Sequence, residues 1–160
     1  MHCIRTIQKI PVSCEIAWDF FSDPANLEIL TPSGMRFHTI SQFHGDRMYP
    51  GQIIEYKISP LLGIPLYWMT EITHVEPGKY FVDEQRFGPY ALWHHQHHFK
   101  SIPGGVEMTD IVNYRNPLGF IGRIANNIFI KNRLKTIFDF RFTKVEELFG
   151  QWKESQEPAR

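Results

Sequence analysis

Cysteine is scarce: Cys3 and Cys14 are the only two in 160 residues. They lack the C-x-x-C spacing of zinc-thiolate or redox motifs and lie among apolar neighbours. The expectation is therefore two reduced, small side chains, with no disulfide framework and no thiolate metal centre. Net charge is also missing, because 17 basic side chains balance 17 acidic ones. That removes the basic stripe of a dedicated nucleic-acid binder, and no nucleic-acid partner is expected. No uninterrupted apolar run reaches the ~18 residues of a membrane-spanning helix, and Met1-His2-Cys3-Ile4-Arg5 shows no basic segment followed by an apolar one. The reading is a soluble, cytoplasmic chain. Charge blocks, internal repeats and low-complexity tracts are absent too, which argues against disorder and against a repeat array.

What is present suits one globular unit. A hydrophobic fraction of 42%, with 14% aromatic residues, is enough for a core, and the length matches a single domain at ~100–200 residues per domain. We place that domain at 1–150 and expect a flexible tail over 151–160.

Hydrophobic periodicity changes twice along the chain. His2 to Ile10 alternates as a strand does, and Pro11 and Ser13 end it and cap a short helix carrying Ile16, Ala17, Phe20 and Phe21. Asp23-Pro24 starts a second short helix that breaks near Thr31-Pro32. The period then becomes two. Strands are predicted over 35–43, 53–59, 67–75, 80–87, 91–102 and 106–114, with Pro77-Gly78, Gly88-Pro89 and Pro103-Gly104-Gly105 as tight connections. From Pro117 the helical period returns, and one long amphipathic helix is predicted over 118–149, stopped by Gly150. This order is an α+β pattern: a curved antiparallel sheet of six or seven strands that buries its inner face on the last helix.

Parity assigns the inner face. Trp93, His95, His97 and Phe99 oppose His94, Gln96, His98 and Lys100; Met108, Asp110, Val112 and Tyr114 oppose Glu107, Thr109, Ile111 and Asn113; Phe81, Asp83, Gln85 and Phe87 oppose Tyr80, Val82, Glu84 and Arg86. The first set of each pair is read as inner. The inner wall is then not purely apolar, and its polar members need partners.

At these residues the sequence resembles the ligand-binding SRPBCC group of the START and birch-pollen-allergen-like superfamily, which includes polyketide cyclases, aromatases and lipid carriers. The resemblance covers nearly the whole chain. It is most specific at Phe81-Val82-Asp83-Glu84-Gln85-Arg86-Phe87-Gly88-Pro89-Tyr90 and Trp93-His94-His95-Gln96-His97-His98-Phe99, and at Asp110-Ile111-Val112-Asn113-Tyr114 followed by Pro117-Leu118-Gly119. Thr31-Pro32 and Trp68 fit it as well. It implies the helix-grip fold, with a hydrophobic cavity used for carriage, sensing or catalysis. Some relatives are fused to a nucleotide-sugar-epimerase-like domain called a cell-division inhibitor, and a protein-binding accessory role is one alternative.

For that cavity the candidate ligand-binding residues are Tyr56, Trp68, Phe81, Asp83, Gln85, Trp93, His95, His97, Phe99, Asp110, Tyr114, Ile124 and Ile128, with Phe37 and Phe138 beside them. The expected ligand is a hydrophobic or amphipathic small molecule such as a lipid, isoprenoid or polyketide-like compound. His95, His97, Asp83, Asp110 and Tyr114 are also the candidates for general acid–base work in a cofactor-independent cyclase or dehydratase. Two imidazoles and a carboxylate on one sheet face can form a metal site. The donor and acceptor mixture is equally that of an internal hydrogen-bonded network, and no metal or other cofactor is assigned. Arg123, Lys131, Arg133, Lys135, Arg141 and Lys144 make the last helix basic. They are read as a solvated face, transient contact with an anionic membrane being the less favoured reading. A monomer or homodimer is expected.

Overall fold

The computed structural model describes residues 1–42, 47–59, 64–117 and 129–153. β1 (His2–Ile10) leads into α1 (Cys14–Phe21) and two 3-10 turns (Pro24–Leu27 and Ser33–Met35). β2 (His38–Thr39), β3 (Gln52–Ile58), β4 (Leu66–Glu76), β5 (Tyr80–Phe87), β6 (Leu92–Ile102), β7 (Gly105–Arg115) and α2 (Lys131–Phe149) follow. The strands form one curved, open antiparallel sheet in the order β1-β7-β6-β5-β4-β3-β2. β1 closes onto β7 by returning from the far end of the chain, and every other pair is a sequence neighbour.

Local chemistry explains the boundaries. Ser13 accepts from the Ile16 N–H (3.2 Å) and caps α1. Asp23 accepts from the Ala25 N–H (2.9 Å) with Pro24 already in the turn, where its missing N–H costs little. Pro103 and Gly104 (φ +85°) form the corner joining Ile102 to Gly105, a conformation that glycine adopts without strain. Gly105 itself answers a close approach: a Cβ there would lie 2.1 Å from the Ile10 carbonyl oxygen.

Three buried groups fill the space over the inner face. At one end α1 and the C-terminal half of α2 pack Ala17, Phe21 and Val145 onto Phe81, Phe99, Val106 and Met108. At the other, Met35, Ile58 and Trp68 form a second group, and Val112, Tyr114 and Leu134 a third, with Tyr90, Trp93 and Ile137 touching both.

Three sequence expectations are corrected, and a fourth reaches beyond the described residues. Of the strand predicted over 35–43, whose last residue lies outside the described ones, only His38–Thr39 forms, because Met35 is buried at the end of a 3-10 turn and Arg36 takes the left-handed conformation that ends it (φ +46°). Phe87 faces outward at 61% exposure. Met69 pairs with Phe87 while Thr70 pairs with Gln85, so Arg86 is the extra residue of a bulge and Phe87 is turned onto Tyr67 (5.5 Å between centroids). The helix expected over 118–149 is described as Lys131–Phe149, and its first part, with Arg123, Ile124 and Ile128, lies outside the described residues. Finally, Arg141 is not on a solvated face, for its side chain is 15% exposed.

Candidate functional site

Register brings the polar residues of the inner face together. Asp83 of β5 lies directly opposite His95 of β6, and His97 lies directly opposite Asp110 of β7. His95 and His97 are two residues apart, so each imidazole is also diagonal to the other's carboxylate. The outcome is a closed ring of four side chains. His97 Nε2 is 2.9 Å from Asp83 Oδ2, and His97 Nδ1 is 2.8 Å from Asp110 Oδ1. His95 Nδ1 is 3.4 Å from Asp83 Oδ2, and His95 Nε2 is 3.1 Å from Asp110 Oδ1. The imidazole centroids are 3.8 Å apart, and Phe81 stacks on His97 at 4.1 Å.

Arg141 of α2 completes the group, with Nη2 3.5 Å from Asp110 Oδ1 and 3.3 Å from His97 Nδ1. The helical pattern carried a signal for it: Leu134, Phe138, Arg141 and Val145 follow steps of four, three and four, so Arg141 occupies the inner stripe. Charge on a helix face was the misleading cue, because a long cation is retained inside when carboxylates wait opposite.

The electrostatics are strongly directional. Burial by itself would raise the carboxyl groups. The Arg141 charge and hydrogen bonds from His95 and His97 override it and hold Asp110 well below the ordinary carboxylate range, while His95, His97 and Arg141 also keep Asp83 below it. Burial and the neighbouring His97 lower His95; for His97 burial also works downward but hydrogen bonds to Asp110 and Asp83 outweigh it, and its value is raised. The two imidazoles are thus pushed apart, His95 toward neutral and His97 toward charged.

The ring borders a cavity of about 170 Å³ between the sheet and α2. Of the residues expected to line a pocket, Tyr56, Trp68, Phe81, Asp83, Trp93, His95 and His97 do so, as do Phe37 and Phe138. The other described ones do not border it. Gln85 clamps the Tyr90 backbone, donating to its carbonyl (2.7 Å) and accepting from its N–H (3.2 Å). Phe99 is packed edge-on against Trp18 (5.5 Å) in the core. Asp110 stands behind the imidazoles, and Tyr114 is sealed among Val112 and Leu134. Ile124 and Ile128 lie outside the described residues. Lining residues that periodicity did not single out for a pocket include Leu30, Met35, Met48, Ile54, Thr70, Ile72, Tyr90, Leu134, Ile137 and Arg141.

Besides the ring and Arg141, the polar lining includes Asp23, Asn26, Thr31 and Thr70. Tyr56 and Thr70 share a hydrogen bond between hydroxyls (3.1 Å). Burial pushes the Tyr56 phenol far up despite that bond, and burial likewise raises Tyr90. The indole N–H of Trp68, a residue 7% exposed, has no hydrogen-bond partner among the described residues.

No family profile and no curated protein matches the sequence. Solved structures do match. A Chromobacterium violaceum protein superposes with a TM-score of 0.72 at 12% identity, covering 95% of this chain and 100% of the other. A START superfamily protein of Mycobacterium smegmatis gives 0.64 at 11%, covering 92% and 99%. The fold is the helix-grip fold of START proteins. A third helix-grip match lies within a nucleoside-diphosphate sugar epimerase of Corynebacterium glutamicum, with a TM-score of 0.63 and 23% identity over 90% of this chain but 28% of that one. At such identities the likeness is one of fold. Among the described residues no helix of this helix-grip domain is long and apolar enough to cross a membrane.

Proposed function

We propose that the helix-grip cavity binds a hydrophobic or amphipathic small molecule of the lipid, isoprenoid or polyketide-like class. The observation that carries this reading is the cavity itself: about 170 Å³, walled mostly by aromatic and aliphatic side chains, with Asp83, His95, His97 and Arg141 among the lining residues. Apolar cavities of ~150 Å³ stay dry and take up benzene-sized molecules. Each methylene that a ligand buries is worth about 0.8 kcal/mol. Asp83, His95 and His97 border the same space and would fix the orientation of the ligand's polar end.

Native mass spectrometry of the purified protein, followed by denaturing spray, tests the reading. The expected result is an organic adduct released on denaturation. With that compound, Trp93→Ala should bind at least about tenfold more weakly, equivalent to the loss of ~1.4 kcal/mol of contact. Equal affinity in wild type and Trp93→Ala would refute binding in this cavity.

A further inference from the structure

The ring of imidazoles and carboxylates has two sides, one turned to Asp83 and one to Asp110. One oxygen, Asp83 Oδ2, is approached by one nitrogen from each imidazole, His97 Nε2 at 2.9 Å and His95 Nδ1 at 3.4 Å. Each of the three residues offers a ligand atom within 4.8 Å of those of the other two, and all three residues border the cavity. The remaining nitrogen of each imidazole turns to a single oxygen on the other side, Asp110 Oδ1, at 2.8 and 3.1 Å.

From this geometry we infer that Asp83, His95 and His97 form a binding site for one divalent first-row transition ion, open toward the cavity. Ligand atoms about 2.0–2.2 Å from a tetrahedral ion sit roughly 3.3–3.6 Å from each other, so the 2.9 Å approach of His97 to Asp83 has to open slightly, the 3.4 Å approach of His95 already fits, and the ligand nitrogens of the two imidazoles, within 4.8 Å of each other, have to draw together. Two imidazoles and one carboxylate form the open triad that suits iron(II) or zinc. Asp110 fulfils the second requirement of such sites. It accepts an N–H from each ligating imidazole, which selects the Nδ1-metallated tautomer of His95 and the Nε2-metallated tautomer of His97.

Arg141 does not occupy the ion's place. Its Nη2 approaches Asp110 and the Nδ1 side of His97, opposite the nitrogen that would bind. With neutral imidazoles, the ion, Arg141, Asp83 and Asp110 leave one positive charge uncompensated, so the cavity-side coordination position suits an anionic or ionisable oxygen. The inference concerns the ion alone and needs no organic occupant, so it can fail or succeed apart from the proposed small-molecule binding.

The test titrates cobalt(II), without other additions, into the chelator-stripped full-length protein. The expected result is one ion per chain, with the visible absorption of low-coordinate cobalt and a raised Tm. With diamagnetic zinc(II) in place of cobalt(II), nitrogen-15 spectra of the histidine side chains should show His95 Nδ1 and His97 Nε2 as the bound atoms. Asp83→Asn and His97→Gln should abolish the cobalt spectrum, while Asp110→Asn should weaken binding by about 10–100-fold and keep it. No uptake by wild type at millimolar cobalt, or uptake that His97→Gln leaves unchanged, would overturn the inference. The nitrogen spectra of the wild type decide the case if a variant does not fold.

Discussion

Single residues carry most of the chemistry, and Arg141 is the one whose role depends most on its surroundings. It is the cation facing two buried carboxylates whose ionisation it favours. Removing one partner of a buried ionic group leaves the rest uncompensated and typically costs about 3–5 kcal/mol. Arg141→Met should therefore lower the free energy of unfolding in urea by about 3 kcal/mol or more, whereas a solvated surface arginine would change it by less than about 0.5 kcal/mol. His95 and His97 were recognisable as inner residues from strand parity, and their neighbours Asp83 and Asp110 by the same test. Their grouping into a ring was not, since it depends on which residue of β5 and of β7 is drawn up beside them.

At the level of elements, the fold depends on where strands may approach and where they must break step. β1 can lie against β7 only because Gly105 leaves room for the Ile10 carbonyl. In Gly105→Ala the added methyl meets backbone that cannot swing aside, and the expected loss is about 1–3 kcal/mol by chemical denaturation. Its amide hydrogens in β1 should exchange faster than those of β4, which would move little if the strain stayed local. The β5 bulge at Arg86 is the opposite case. Alternation predicted Phe87 on the inner face, but an extra residue in one strand reverses the parity of everything after it. Phe87 and Tyr67 accordingly meet on the outside.

For the molecule as a whole, the cavity and the aromatic groups around it make phenol ionisation a property of the entire fold. Burial raises Tyr56 and Tyr90 well above the ordinary tyrosine value of about 10. Because the folded value exceeds the unfolded one, the neutral phenols contribute stability that is complete below about pH 10. It is lost progressively as pH rises from there toward the folded values. Absorbance at alkaline pH should show these two phenols ionising together with unfolding, detected in parallel by circular dichroism. Tyr56→Phe and Tyr90→Phe should each reduce that late step. Ionisation of both near pH 10 in a still-folded protein would contradict their burial.

The sequence by itself determined the kinds of element, their order and most inward-facing positions, because period two, period 3.6 and turn residues are local properties of the chain. It also identified Trp68, Trp93, His95 and His97 as residues of the inner face. Tertiary structure alone decided that Asp110 stands behind the imidazoles while Asp83 borders the cavity, that Gln85 clamps Tyr90 and faces no ligand space, and that Arg141 turns inward. Those outcomes depend on register, on a bulge and on what the last helix meets across the sheet. They are relations between segments distant in sequence, whose energies exist only once the segments are packed together.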